Sequence, residues 1–226
     1  MPVSDIRGIN MKFDNALKLA TVGVACMSLS ACFGNGNTGV AGGLGGPPGG
    51  SNFQTNFDAA AGTLATTTEL TGSADYTGEV RILTGLNAGD ASEALIGDLD
   101  MNVNFDANSR PVTATASGFA GEINGTQVTV DGTLSTDNAP NGINDISATN
   151  VTVPVQGQIT LTAVSVEMQG SLSESTNQIS GDALLTLQGQ FRGDNGASVL
   201  GAAGVIYDPT NGPRTITGGD WYANRD

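Results

Sequence analysis

The side chains able to do acid–base, metal or nucleophilic chemistry are few in this chain. Histidine is absent, which removes the commonest general base and the commonest metal ligand. Asp98 and Asp100 are two residues apart and share one face of a strand, where paired carboxylates could serve glycoside hydrolysis. Their alternating surroundings read them instead as solvated outward residues. Residues 137–145 run Asp-Asn-Ala-Pro-Asn-Gly-Ile-Asn-Asp, faintly like a calcium loop. Ala139 stands where the third ligand belongs and Ala148 where the bidentate glutamate belongs, so this stretch reads as a long exposed turn. Gly34, Gly36 and Gly39 spell a dinucleotide fingerprint, which works only between a strand and a helix, and neither flank exists here. The expectation is a protein without catalytic residues, without a metal site and without a cofactor.

One thiol does have a chemical part to play. Residues 19–29 are uncharged and mostly apolar, and Lys12 and Lys18 precede them. About eleven residues are too few for a membrane span of roughly 20. A positive start, a short apolar core and small residues at its end describe a secretory signal peptide. Met11 is the better start, because residues 2–10 have no signal character. The ending, Leu29-Ser30-Ala31-Cys32, resembles the lipobox of bacterial lipoproteins. The resemblance implies cleavage before Cys32 and a diacylglycerol on its thiol, with Leu29 filling an apolar peptidase pocket and Ser30 and Ala31 leaving the cleavage site open. Cys32 is then the lipid attachment residue and the anchor to the outer membrane. The expected organisation is a signal peptide over 1–31, a lipidated cysteine and Gly/Pro-rich linker over 32–52, and one domain over 53–226. Cys26 and Cys32 are the only cysteines, so no disulfide staples that domain.

Loss of the signal also changes the charge. Residues 33–226 contain no lysine; their cations are Arg81, Arg110, Arg192, Arg214 and Arg225, against 20 of the 22 acids, for a net charge of about −15. A nucleic-acid footprint needs a basic face and is ruled out. A polybasic membrane surface is disfavoured on the same ground. The acidic excess suits solubility in a salty exterior, and it would steer a basic partner.

The glycines and prolines of residues 33–52 make a flexible tether. From about residue 62 the pattern turns to period two. Tyr76, Gly78, Val80 and Ile82 alternate with polar neighbours, as do Leu99, Met101, Val103 and Phe105, then Val128 and Val130. Ile159, Leu161 and Ala163 alternate in one phase; Val164, Val166 and Met168 follow in the other. Leu185, Leu187 and Gly189, then Val205 and Tyr207, then Ile216 complete the series. Clusters of Asn, Asp, Gly and Pro separate them, and no segment after residue 60 carries a convincing amphipathic helix. Short strands at regular spacing predict an all-β fold, a single antiparallel meandering β-barrel of about eight strands. Aromatic residues make up only 5% of the chain, too few for the girdles of an integral outer-membrane barrel. The apolar face should therefore fill the interior.

Three stretches resemble the barrel domain of the transferrin-binding protein B family. Tyr76-Thr77-Gly78-Glu79-Val80 resembles its opening strand. Residues 100–106, with Val103 and Phe105, resemble its V-x-F hairpin, whose second strand would end at Ser117-Gly118. Most specific is Gly189-Gln190-Phe191-Arg192-Gly193, followed by a turn with one extra residue and by Ala197-Ser198-Val199-Leu200-Gly201. Gly189 and Gly193 would let the strand bend at a barrel end, Phe191 would point inward with Leu185 and Leu187, and Gly201 would let the next strand pack closely. These residues are structural and mark a fold. The family's members are surface or outer-membrane lipoproteins whose barrels bind host or environmental proteins, sometimes haem carriers. The expectation for this chain is one barrel and no companion handle domain. What the resemblance implies is an outer-membrane, lipid-anchored barrel that binds a protein or a haem or iron carrier at its loop ends. The alternatives are a structural envelope lipoprotein and a lipocalin-type carrier of a small apolar ligand.

Overall fold

Asn124 and Gly125 carry φ of 50° and 74°, the paired left-handed backbone of a two-residue hairpin turn whose twist matches the strands it joins. In the computed structural model, which describes residues 52–84, 93–154 and 157–226, this turn links two of nine antiparallel strands. The described elements are a helix α1 (Phe53–Gly62), then β1 (Ser73–Leu83), β2 (Ala94–Asn104), β3 (Val112–Ile123), β4 (Thr126–Ser135), a 3-10 turn (Thr136–Asn138), β5 (Asn144–Val153), β6 (Gly157–Glu174), β7 (Ile179–Arg192), β8 (Ser198–Pro209) and β9 (Thr215–Arg225). The signal peptide, the Met11 start, the lipobox with Cys32 and the tether up to residue 51 lie outside the described residues.

Eight strands close a barrel in the order β1-β2-β3-β4-β6-β7-β8-β9 and back to β1. The fifth strand stands outside that ring. β6 is 18 residues long and serves two neighbours along one edge: its first half pairs with β5, Val153↔Gly157 to Asn144↔Val166, and its second half with β4, Ser135↔Gln169 to Val130↔Glu174. The all-β barrel of about eight strands is thus the fold, with one additional strand.

Period two holds along most of the barrel. Tyr76, Val80, Leu99, Met101, Val103, Leu185, Leu187 and Phe191 are all buried, on the side where alternation placed them. β6 differs from the reading of two phases. It is one uninterrupted strand, so only one phase can face inward, and Thr162, Val164, Val166 and Met168 take it. Ile159, Leu161 and Ala163 are half-buried on the outer side. The choice leaves the Thr162 hydroxyl buried without a hydrogen-bond partner, which opposes folding by about 1–3 kcal/mol; the Val164, Val166 and Met168 side chains more than offset it. β3 also departs from expectation. It does not end at Ser117-Gly118 but passes a bulge there, Gly118 having φ 65°, and continues to Ile123 with Phe119 fully buried.

The two ends of the barrel differ. At one, residues 63–72 run across the mouth before entering β1. Thr66 N–H donates to Phe191 O (3.0 Å), Thr160 N–H to Thr67 O (3.0 Å) and Phe105 N–H to Gly72 O (2.8 Å), so the segment crosses from β7 and β6 to the β2–β3 connection. Beneath it, Phe191 meets Tyr76 and Phe105 at centroid distances of 5.7 and 5.1 Å. The other end carries the connections β1–β2, β3–β4, β6–β7 and β8–β9.

Candidate functional site

The Gly189–Gly193 stretch is built around two residues remote in sequence. Gly189 on β7, Gly201 on β8 and Trp221 on β9 lie side by side in register. The indole extends over both glycines: its Nε1–H is shared between Gln188 O and Ala202 O, each at 3.2 Å, and a Cβ on Gly189 would lie 2.6 Å from its Cζ2. Gly189 therefore makes room for a ring, where a bend was expected. A Cβ on Gly201 would strike the Gln188 carbonyl, and one on Gly78 would strike the Tyr222 carbonyl; both glycines sit where strands approach closely. Phe191 is fully buried. Tyr76 donates from its hydroxyl to Gly196 O at 2.8 Å, and burial pushes its pKa up to about 12, with Arg225 partly opposing.

The end of the motif holds the N-terminal lead. Gly193, with φ 76°, donates N–H to Leu64 O at 2.8 Å, and Thr66 Oγ1 donates to Gly193 O at 2.7 Å. Arg192 Nη1 donates to Ala61 O (3.1 Å) and Thr63 O (2.8 Å), so the guanidinium satisfies carbonyls that the end of α1 leaves unpaired. Ala197 is exposed in the following turn, and Leu200 faces outward beneath α1. The motif is thus divided: Phe191 belongs to the core, Leu200 to the outer wall, and Arg192 and Gly193 to the lead.

α1 has ten residues and no side-chain cap at its start, so packing must hold it. Phe53, Phe57 and Ala60, spaced four and three apart, cover Tyr222, Ile96 and Leu200 on the barrel's outer wall. Arg81 and Asp220 face each other across β1 and β9 in a bidentate ion pair of 2.8 and 2.6 Å, and the Arg81 guanidinium lies 4.8 Å from the Phe53 ring centre. Tyr222 donates to Glu79 and accepts from Asn56 Nδ2 at 2.9 Å; burial first, then the bond to Glu79, raises its pKa.

All five arginines of the described residues bond to other groups of the chain. Arg81 and Arg214 pair with Asp220 and Asp208. Arg110, Arg192 and Arg225 hold backbone carbonyls instead, so most acids keep their charge uncompensated. Arg110 sits on the carbonyls of Thr136, Ala139 and Pro140, the concave side of the loop that faintly resembled a calcium site. The loop itself is shorter than expected, because β5 begins at Asn144. Asp98 and Asp100 are exposed on the outer face of β2. Among the described residues, no group of three His, Cys, Asp or Glu side chains is placed to hold a metal ion.

Two shallow concavities open on the outside. One, of about 330 Å³, lies on the outer wall of β1–β3 among Asp75, Thr77, Asp100, Asn102, Thr113 and Asp226. The other, of about 480 Å³, lies at the mouth between Glu69, Asp194 and Arg225. At the far end, carboxylates fasten the connections. Glu93 accepts the N–H of Asn124 (2.9 Å) and Gly125 (3.1 Å). Glu174 accepts the N–H groups of Thr176 and Asn177; burial opposes its ionisation, but the hydrogen bonds from Asn177 and Thr176 override that and lower its pKa.

Trp221, Arg192 and the α1 phenylalanines escaped the sequence reading. The only signals were a lone tryptophan, an arginine inside the motif, and Phe53 and Phe57 four apart at the end of the tether. Compared with known proteins, the chain matches no family model and no curated sequence.

Proposed function

We propose that this chain is a lipid-anchored β-barrel binding module of the outer membrane, of the transferrin-binding protein B-like kind, recognising a protein partner through the turns at the barrel end remote from residues 63–72. The observation that carries this reading is the fastening of those turns. Glu93 bridges the β1–β2 connection to the Asn124-Gly125 turn, Glu174 chelates the turn that follows it, and Arg214 pairs with Asp208 at 2.8 Å across the β8–β9 connection. Turns pre-set in this way lose little freedom on binding, the condition for using a small surface well. The packed interior also favours the loops over a carrier role. Trp221, Tyr76, Phe119, Phe191, Leu134 and Met168 are fully buried there, and an eight-stranded barrel filled by its own side chains is a core. Residues 33–226 carry 20 acids against five arginines, so the partner's contacting face is basic. Cys32 supplies the attachment.

The test has two arms. Full-length chain expressed in a bacterium with an outer membrane should fractionate with that membrane, and Cys32→Ala should release it; retention of the variant overturns the anchor. Affinity capture from host or environmental protein mixtures should lose its partner with Asp208→Ala and Arg214→Ala together, and keep it with Asn102→Ala on the outer wall. Capture indifferent to the turn variant overturns the assignment of the binding end.

A further inference from the structure

No Asp, Glu, Lys or Arg occurs between Asp145 and Glu167, in a chain of net charge −14. Those residues are the β5–β6 hairpin, its ladder running from Asn144↔Val166 to Val153↔Gly157. The hairpin extends past the barrel wall, because β7 begins to pair with β6 only at Ala163↔Gln190. Its first residue is pinned: Asn144 accepts from Val112 N–H at 2.9 Å and donates to Val112 O at 2.6 Å. Among the described residues, β5 pairs with β6 and with no other strand, which leaves its outer edge of N–H and C=O groups open. Edge strands of native proteins carry lysines, prolines, bulges or inward charges that prevent pairing. β5 has none of these. Its sequence, Asn-Asp-Ile-Ser-Ala-Thr-Asn-Val-Thr-Val, is rich in residues that favour strands, and its ladder shows no register shift.

We infer that β5 is a self-association edge, pairing antiparallel with β5 of a second copy about a two-fold axis. Charge selects the second copy. On most other faces of this acidic chain, two copies would bring carboxylates against carboxylates; along β5 they meet at a strand whose single charge, Asp145, lies at its start. With the axis at Ala148 or at Thr149, Asp145 faces Val151 or Val153 of the other copy rather than its own counterpart. An antiparallel edge is also self-complementary, as a two-fold interface requires. A ten-residue ladder forms about ten hydrogen bonds, the number a typical protein interface carries in all. The surface is separate from the turns assigned to the partner, and its test does not depend on that assignment.

Directly opposed residues in such a ladder have Cα atoms roughly 4.5–5.5 Å apart, within disulfide reach. In the full-length chain, Ala148→Cys, Thr149→Cys and Asn150→Cys are each oxidised mildly and run on a non-reducing gel. At least one should give a linked dimer that is absent from the unsubstituted chain and from Thr133→Cys, an exposed position on β4 inside the barrel ring. Adding Ser147→Lys to the linking variant should abolish the link. Absence of a link at all three positions, equal linking through Thr133→Cys, or a link that survives Ser147→Lys would overturn the inference. So would a chain that sediments as a monomer while its β5 amides exchange slowly, a result that assigns the edge to the chain's own N-terminal segment.

Discussion

Gly189 and Trp221 share one space: the indole Cζ2 lies 2.6 Å from where a Cβ on Gly189 would be. Overpacking of this kind destabilises by about 1–3 kcal/mol, so Gly189→Ala should lower the melting temperature. Trp221 is the only tryptophan and is fully buried, so the same variant should shift its fluorescence to the red. A variant with unchanged melting and emission would place the indole elsewhere.

Phe191 is buried against Tyr76 and Phe105. Truncating a core phenylalanine costs about 3–5 kcal/mol, a large part of the roughly 5–15 kcal/mol that holds a domain folded. Phe191→Ala should therefore melt far below the parent chain. A change within about 0.5 kcal/mol, as at surface positions, would make Phe191 a contact residue.

Arg192 holds the lead through Ala61 O and Thr63 O. Arg192→Ala should speed amide exchange in α1 and residues 63–66 while leaving β1 to β4 unaffected. Arg192→Lys should rescue it only in part, since one ammonium lacks the planar donor fork. Uniformly faster exchange throughout the barrel would contradict a local clamp.

The three tyrosines should ionise late. Tyr76 rises from 10.0 to about 12 through burial, Tyr207 rises through burial and then Asp182, and Tyr222 through burial and then Glu79. A raised acid group stabilises the fold fully below its unfolded value, and that contribution is lost as the pH climbs through the folded one. For Tyr76 the window is pH 10 to about 12. Tyrosinate absorbance should appear together with loss of strand circular dichroism; a full signal near pH 10 in a folded chain would refute the buried placement.

Glu174 works in the opposite direction. Its pKa is lowered from the ordinary 4.5, so its contribution is complete above that value and disappears as the pH falls below it. Glu174→Gln should flatten the acid limb of the stability profile and loosen the 175–178 turn, seen as faster exchange at Thr176 and Asn177. An acid limb identical in both proteins would remove the carboxylate from that role.

Much of this fold was legible because a strand's side chains alternate strictly. Phe191 had to lie on the side of Leu185 and Leu187, and the clusters of Asn, Asp, Gly and Pro had to separate the strands. Alternation alone could not settle β6, where two apolar phases meet at Ala163 and Val164. Only the ladder with β7, running unbroken from Ala163 to Glu174, fixed which phase turned inward. Nor could it show that β4 would skip β5 to close the ring on β6, since closure depends on how eight registers accumulate around the barrel. α1 was hidden for a different reason: ten residues are too few to hold a helix by propensity, and this one exists because Tyr222, Ile96 and Leu200 offered a surface. Gly189 and Arg192 were visible as letters of a motif. Their partners, Trp221 and the carbonyls of Ala61 and Thr63, lie far away in the chain, and the closed sheet alone brought them within reach.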